Sequence, residues 1–181
     1  MKSEKSENYY DAVYAKSQEY RKAPEDCIYF ELWKKALDLI RYNDNILELG
    51  CGAGHFASML ENKFPKIKYY GVDFSLQALM IAKMQSRLEF VLRDIYETEL
   101  YDLDYNTVVA LEVFEHIDDL RVLGEIRSGV KLICTLPDFD DPAHLVYFAS
   151  IEEIIQRYRA HLQIKSITKF KRWYIFEGVK I

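Results

Sequence analysis

The chain has 181 residues, 50% of them hydrophobic and 29% charged, with a formal net charge of −5. That length can bury a core without staples, and the composition excludes a disordered chain. The acidic balance supplies no global electrostatic footprint for gripping a polyanion.

Residues 1–8 are polar and lack the apolar core of a signal peptide, and no apolar run reaches the roughly 18 residues of a membrane span. A Tyr-rich stretch from Tyr9 to Tyr20 reads as helical and as part of a lid. Residues 27–40 follow as a helix, because Tyr29, Leu32, Trp33, Ala36, Leu37 and Ile40 recur on one face of a 3.6-residue period. From Asn45 onward, apolar runs at 46–49, 68–72, 89–92, 108–111 and 131–136 alternate with helix-like stretches at 55–62, 75–86, 113–127 and 151–160. Short apolar strands between helices predict a parallel sheet covered on both faces. Residues 162–170 and 173–181 are both strand-like and are separated only by Lys171 and Arg172, a gap that closes only an antiparallel hairpin. The expected fold is α/β: a doubly wound, mostly parallel seven-stranded sheet with a C-terminal antiparallel hairpin and helices on both faces. Residues 1–44 are expected to form a helical lid or cap, and residues 45–181 the core of what is one domain overall. Three widely spaced cysteines, Cys27, Cys51 and Cys134, read as free thiols in a reducing cytoplasm, with no membrane partner. Residues 150–181 carry seven Lys/Arg against three Glu, which a solvated face with edge-strand lysines explains.

The run Ile46-Leu47-Glu48-Leu49-Gly50-Cys51-Gly52-Ala53-Gly54-His55 passes from a strand through a Gly-rich turn into a helix. Such a turn lets a ligand approach the backbone, and the helix start offers free N–H groups to an anion. The dinucleotide fingerprint would need glycine where His55 stands, so that ligand class fits poorly. Asp73 ends the next strand, where a carboxylate accepts both ribose hydroxyls, and Phe74 forms a wall for an adenine. Arg93-Asp94-Ile95 follows the third strand, placing a further acid and an apolar neighbour at the edge where open α/β sheets bind ligands. As plain structure, Asp73 would be a helix cap and Asp94 a turn residue.

Glu48-Leu-Gly50-Cys-Gly52-Ala-Gly54 resembles the first motif of class I S-adenosylmethionine-dependent methyltransferases, and Gly71-Val72-Asp73 and Arg93-Asp94 fall where that family keeps its second and third. The resemblance runs from about Asn45 to Ile181. It implies that Gly50, Cys51 and Gly52 line the methionine part of S-adenosylmethionine, with Glu48 supporting the loop. It further implies that Asp73 holds the ribose and that Phe74, Asp94 and Ile95 hold the adenine. Arg93, Leu111 and Glu112 join the expected cofactor contacts.

After the fourth strand comes Leu111-Glu112-Val113-Phe114-Glu115-His116. A helix starting near Glu112 would put Glu112, Glu115 and His116 on one face. Two uses stay open. His116 serves as general base for a substrate hydroxyl, or Glu112, Glu115 and His116, with His144 from the loop after the fifth strand, hold a divalent metal. The catalytic candidates are therefore His116, Glu115 and His144. Glu-x-x-Glu-His followed by a later His resembles the metal-assisted O-methyltransferases, both the ubiquinone-type phenol enzymes and those acting on the 2′-hydroxyl at small-RNA ends. As plain structure, Glu115 would face solvent and His144 would pack with Tyr147 and Phe148. An Asn-Pro-Pro-aromatic signature is absent, which moves the expectation from N- to O-methylation. With the Tyr-rich segment and residues 137–147 closing the pocket, a small, partly aromatic acceptor is expected. RNA 2′-O-methylation is the alternative, resting on the basic C-terminal third, and a non-catalytic S-adenosylmethionine-binding module is another. The oligomeric state is not legible.

Overall fold

The computed structural model describes residues 2–181; Met1 lies outside the described residues. β1 (Asn45–Leu49) is buried along nearly its whole length, as a strand covered on both faces must be. Its side chains alternate: Ile46 enters one core, and Leu47 and Leu49 the other. Around it stand β2 (Lys68–Asp73), β3 (Glu89–Leu92), β4 (Thr107–Ala110) and β5 (Lys131–Pro137), all parallel. β6 (Leu162–Phe170) and β7 (Trp173–Lys180) form the expected hairpin. β7 inserts antiparallel between β5 and β6, giving the order β3-β2-β1-β4-β5-β7-β6.

Helices cover both faces. On one side α2 (Phe30–Leu37), α3 (His55–Lys63) and α4 (Leu76–Gln85) pack Ala36, Phe56, Leu60 and Leu79 against Ile46, Val109 and Ile133. On the other, α5 (Asp119–Glu125) and α6 (Ile151–Tyr158) pack Leu123, Ile154 and Tyr158 against Leu47, Val108 and Leu132. Each such fully buried aliphatic side chain contributes about 1.5–3 kcal/mol. α5 and α6 are also locked by polar contacts. The buried Asp119 carboxylate accepts from Arg157 Nε at 2.8 Å and from the Tyr158 hydroxyl at 2.6 Å.

Two helices differ from the sequence expectation. α2 is shorter than 27–40: a 3₁₀ turn at Pro24–Asp26 precedes it, and the chain tightens at its end, where Leu39 N–H donates to Ala36 O at 3.1 Å. Ile40 is nevertheless buried, so its periodicity reports the core rather than the helix. The expected helix over 113–127 is broken. Phe114–His116 make one 3₁₀ turn, Ile117 is extended, and α5 starts afresh where the Asp118 side chain accepts from Arg121 N–H.

The N-terminal segment lies across the ends of β1, β2 and β4. α1 (Glu7–Lys16) has no fully buried residue and is fixed to the start of α4, where Asp11 accepts from the Ser75 hydroxyl at 2.6 Å. Among the described residues, no helix is long and apolar enough to cross a membrane. At the β6–β7 turn, Lys169 and Arg172 both pair with Asp138, which neutralises part of the basic C-terminal third.

Candidate cofactor and acceptor site

The loop after β1 is held open by glycines where side chains would not fit. Gly52 has φ +52°, and a Cβ there would lie 2.7 Å from the Tyr14 hydroxyl. Gly54, with φ +77°, would place a Cβ 2.8 Å from Ala82 Cβ and 2.9 Å from Ala82 Cα in α4. Beneath the loop the Glu48 carboxyl is buried and accepts a 2.5 Å hydrogen bond from the Tyr69 hydroxyl. Burial outweighs that bond and pushes the Glu48 carboxyl up to about 8. Burial also pushes the Cys51 thiol up, so it is an inert packing group.

Asp73, at the tip of β2, is the loop's counterpart. Its two oxygens accept from Gly52 N–H at 2.9 Å and Ser75 N–H at 2.8 Å. Burial raises it to about 6 despite those two bonds. Ser75, not Asp73, caps α4, since its hydroxyl accepts from Ala78 N–H at 3.1 Å.

A cavity of about 460 Å³ opens over these strand ends. Gly50, Gly52, Asp73, Phe74, Asp94 and Ile95 line it, as do Leu111, Glu112 and His116. Cys51 and Glu48 also border it. Arg93 does not line it: its guanidinium points outward to Glu97 at 2.5 Å. The N-terminal segment roofs the cavity, with the Tyr10 ring between Phe74 (5.5 Å) and His116 (6.3 Å). Glu4 pins the arm before α1, accepting from the Tyr96 hydroxyl at 2.6 Å and from Asp118 N–H at 3.0 Å.

The acidic group beyond Leu111 is arranged differently from one helical face. Glu112 has φ +58°, outside any helix. Its carboxylate accepts from the Thr135 hydroxyl at 2.8 Å and from Trp173 Nε1 at 2.6 Å. These long-range partners turn it away from the other candidates, and burial raises it to about 7. Glu115, which as plain structure would face solvent, is instead fully buried, and neither carboxylate oxygen has a hydrogen-bond partner among the described residues. Burial and the nearby Glu112 push it well up.

His116 Nδ1 lies 3.0 Å from Ala143 O, and His144 Nδ1 lies 3.1 Å from Phe139 O. A carbonyl only accepts, so Nδ1 carries a proton in both rings, and Nε2 is the nitrogen left for site chemistry. The two rings sit 4.9 Å apart, and His116 Nε2 is 3.8 Å from Glu115 Oε1. One donor atom each from Glu115, His116 and His144 lies within 4.8 Å of the others. The His144 ring thus packs against those of His116 and Phe139. Burial lowers His116, leaving a neutral imidazole near pH 7. Sequence reasoning missed Tyr14, Thr135, Trp173 and Glu4. Only Tyr14 carried a signal, as part of the Tyr-rich stretch.

The family model for a methyltransferase domain matches residues 46–131. The chain is 32% identical over 88 residues to malonyl-[acyl-carrier protein] O-methyltransferase of Bacillus anthracis, covering 45% of this chain and 32% of that protein. It is 30% identical to the demethylmenaquinone methyltransferase of Thermotoga maritima, covering 49% of this chain and 39% of the relative. The chain thus spans about a third of the length of these curated relatives. Among solved structures it resembles a chain from the complex of the Haloferax volcanii Trm112 methyltransferase activator with a methyltransferase. There the TM-score is 0.76 at 17% identity, covering 97% of each chain. Strand order, glycine loop and family match agree: residues 46–131 match a methyltransferase domain, set in a sheet with the fold of class I S-adenosylmethionine-dependent methyltransferases.

Proposed function

We propose that this chain binds S-adenosylmethionine in the 460 Å³ cavity and methylates a hydroxyl of a small, partly aromatic acceptor, with His116 as general base. The observation that carries the reading is Asp73, a buried carboxylate clamped to Gly52 and Ser75 while still bordering the same cavity as His116. The residues fit the cofactor. Gly50 and Gly52 leave backbone room for its methionine part, Asp73 offers oxygens to a ribose diol, and Phe74, Asp94 and Ile95 wall an adenine. S-adenosylmethionine, when bound, supplies an electrophilic methyl group on a sulfonium. The protein's part is alignment and exclusion of water, which alone supplies much of a methyl transfer's acceleration. Residues 2–44 act as the lid, with Tyr10 over the acceptor and Tyr14 over the glycine loop. His116, neutral and oriented by Ala143 O, takes the hydroxyl proton at Nε2. The O-methyltransferase among the relatives favours oxygen as the acceptor atom. A polyanionic acceptor such as RNA is disfavoured, because the carboxylates of Glu4, Glu19, Asp73 and Asp94 border the cavity against Lys5.

A second reading has its own observation. The orphaned Glu115 carboxylate and the two Nε2 atoms of His116 and His144 suit a divalent cation that would lower the pKa of a bound hydroxyl. The test is methyl transfer to a panel of phenols and hydroxylated metabolites, with wild type, His116→Ala and added chelator. Turnover lost in His116→Ala at unchanged cofactor affinity supports the base. Loss on chelation, reversed by metal, selects the second reading. Undiminished turnover in both refutes the role of His116.

A further inference from the structure

The outer face of α4 and the open edge of β3 carry an apolar surface left exposed among the described residues. α4 is apolar on more than its buried face. Ala78, Leu79, Ile81 and Ala82 are buried, yet Leu76, Met80 and Met84 are 48%, 56% and 87% exposed. Those three stand at i, i+4 and i+8, one straight stripe along the helix. β3 is the end strand of the sheet, so one side of its backbone is unpaired. Phe90 belongs to the α4 core, and Leu92, two residues on and 50% exposed, shares that face. Stripe and strand therefore form one continuous patch.

We infer that this patch is the docking face for a second copy of the same chain, paired about a twofold axis through Val91 and Met80. The strand reads Glu89-Phe90-Val91-Leu92-Arg93, acid at one end and base at the other. An antiparallel self-pairing centred on Val91 sets Glu89 opposite the partner's Arg93 twice, and Phe90 opposite Leu92 twice. The hydrogen-bond phase agrees. Arg93 N–H donates inward to Asp73 O at 3.1 Å, so alternation turns the N–H and C=O groups of Phe90 and Leu92 toward the open side. Those are the residues this pairing would join by hydrogen bonds, leaving Val91 facing Val91 as a non-hydrogen-bonded pair. The helix stripe has the same symmetry: Leu76 meets Met84 of the other copy while Met80 meets Met80. Exposed Lys83 and Arg87 along with Glu89, Glu97 and Glu99 give this region of the surface both signs, which suits self-complementary contact. An anionic membrane or a nucleic acid would call for one sign.

Sedimentation equilibrium across the micromolar range tests this. Wild type is expected at twice the 21.4 kDa of one chain, and Met80→Asp as a folded monomer with an unchanged circular-dichroism spectrum. Val91→Cys tests the register separately, since residues facing in a non-hydrogen-bonded pair have Cα atoms about 4.5 Å apart, within disulfide reach. Mild oxidation should give a covalent dimer with Val91→Cys but not with Ile155→Cys, on exposed α6. Monomeric wild type throughout, or a Met80→Asp protein still dimeric, overturns the inference. A Met80-dependent dimer that Val91→Cys does not cross-link overturns the register.

Discussion

Replacing Gly54 by alanine isolates what the glycine loop asks of its neighbours. Gly54 and Gly129 both have positive φ, +77° and +85°, so both alanine variants carry the same backbone strain, about 1–2 kcal/mol. They differ in space. Nothing lies within 4 Å of a Cβ at Gly129, whereas one at Gly54 meets Ala82 Cβ at 2.8 Å and Cα at 2.9 Å. Ala82 is buried in the middle of α4 and its backbone cannot swing aside. Forcing a methyl between α3 and α4 adds an overpacking cost of about 1–3 kcal/mol. Gly54→Ala should therefore lose about 2–5 kcal/mol in urea unfolding followed by circular dichroism, and Gly129→Ala about 1–2 kcal/mol. Gly124, in α5 with open space around it, sets the opposite sign: its alanine variant should gain about 0.5–1 kcal/mol. Equal losses for Gly54→Ala and Gly129→Ala would refute the close approach of α4 to the loop.

Other outcomes follow from the buried polar groups. Glu48 titrates near 8 in the fold against 4.5 in the unfolded chain, so it favours folding at low pH and that contribution is lost as pH rises between those values. Glu48→Gln, which keeps an acceptor for Tyr69, should be the more stable protein above pH 8 by roughly 3–5 kcal/mol. Superimposable pH–stability curves for the two proteins would contradict this. Because Asp73 titrates near 6 and must be ionised to accept from a ribose diol, S-adenosylhomocysteine affinity should rise with pH between about 5 and 7. A flat calorimetric profile over that interval argues against the ribose role. Arg157→Ala leaves the Asp119 carboxylate buried without its ion pair and should cost about 3–5 kcal/mol, read as a lowered urea midpoint. A loss below about 1 kcal/mol would mean that Tyr158 alone satisfies Asp119.

The sheet was legible because its signals are local. The runs at 46–49 and 131–136 have no polar face to misassign, and Lys171-Arg172 is too short for anything but a hairpin. The placement of Gly50, Gly52 and Asp73 around one cavity was legible for the same reason: they stand at strand ends, where backbone geometry follows from neighbours in sequence. The region around Glu112 was not. A three-and-four spacing looks helical, but Glu112 is claimed by Thr135 and Trp173, 23 and 61 residues away. No window of sequence contains those partners. Arg93 failed in the opposite way, since Glu97 four residues on captures it locally. The Tyr-rich segment was read as a lid, but which tyrosine stands over which part of the cavity depends on the anchoring of Asp11 on Ser75 and of Glu4 on Tyr96.

Calorimetric titration of the wild-type chain and of Asp73→Ala with S-adenosylmethionine and S-adenosylhomocysteine tests the central claim most directly. The account predicts micromolar-range binding of both ligands to wild type, weakened at least about tenfold, or 1.4 kcal/mol, in the variant. No heat of binding to folded wild type, or equal affinity for both proteins, would contradict it.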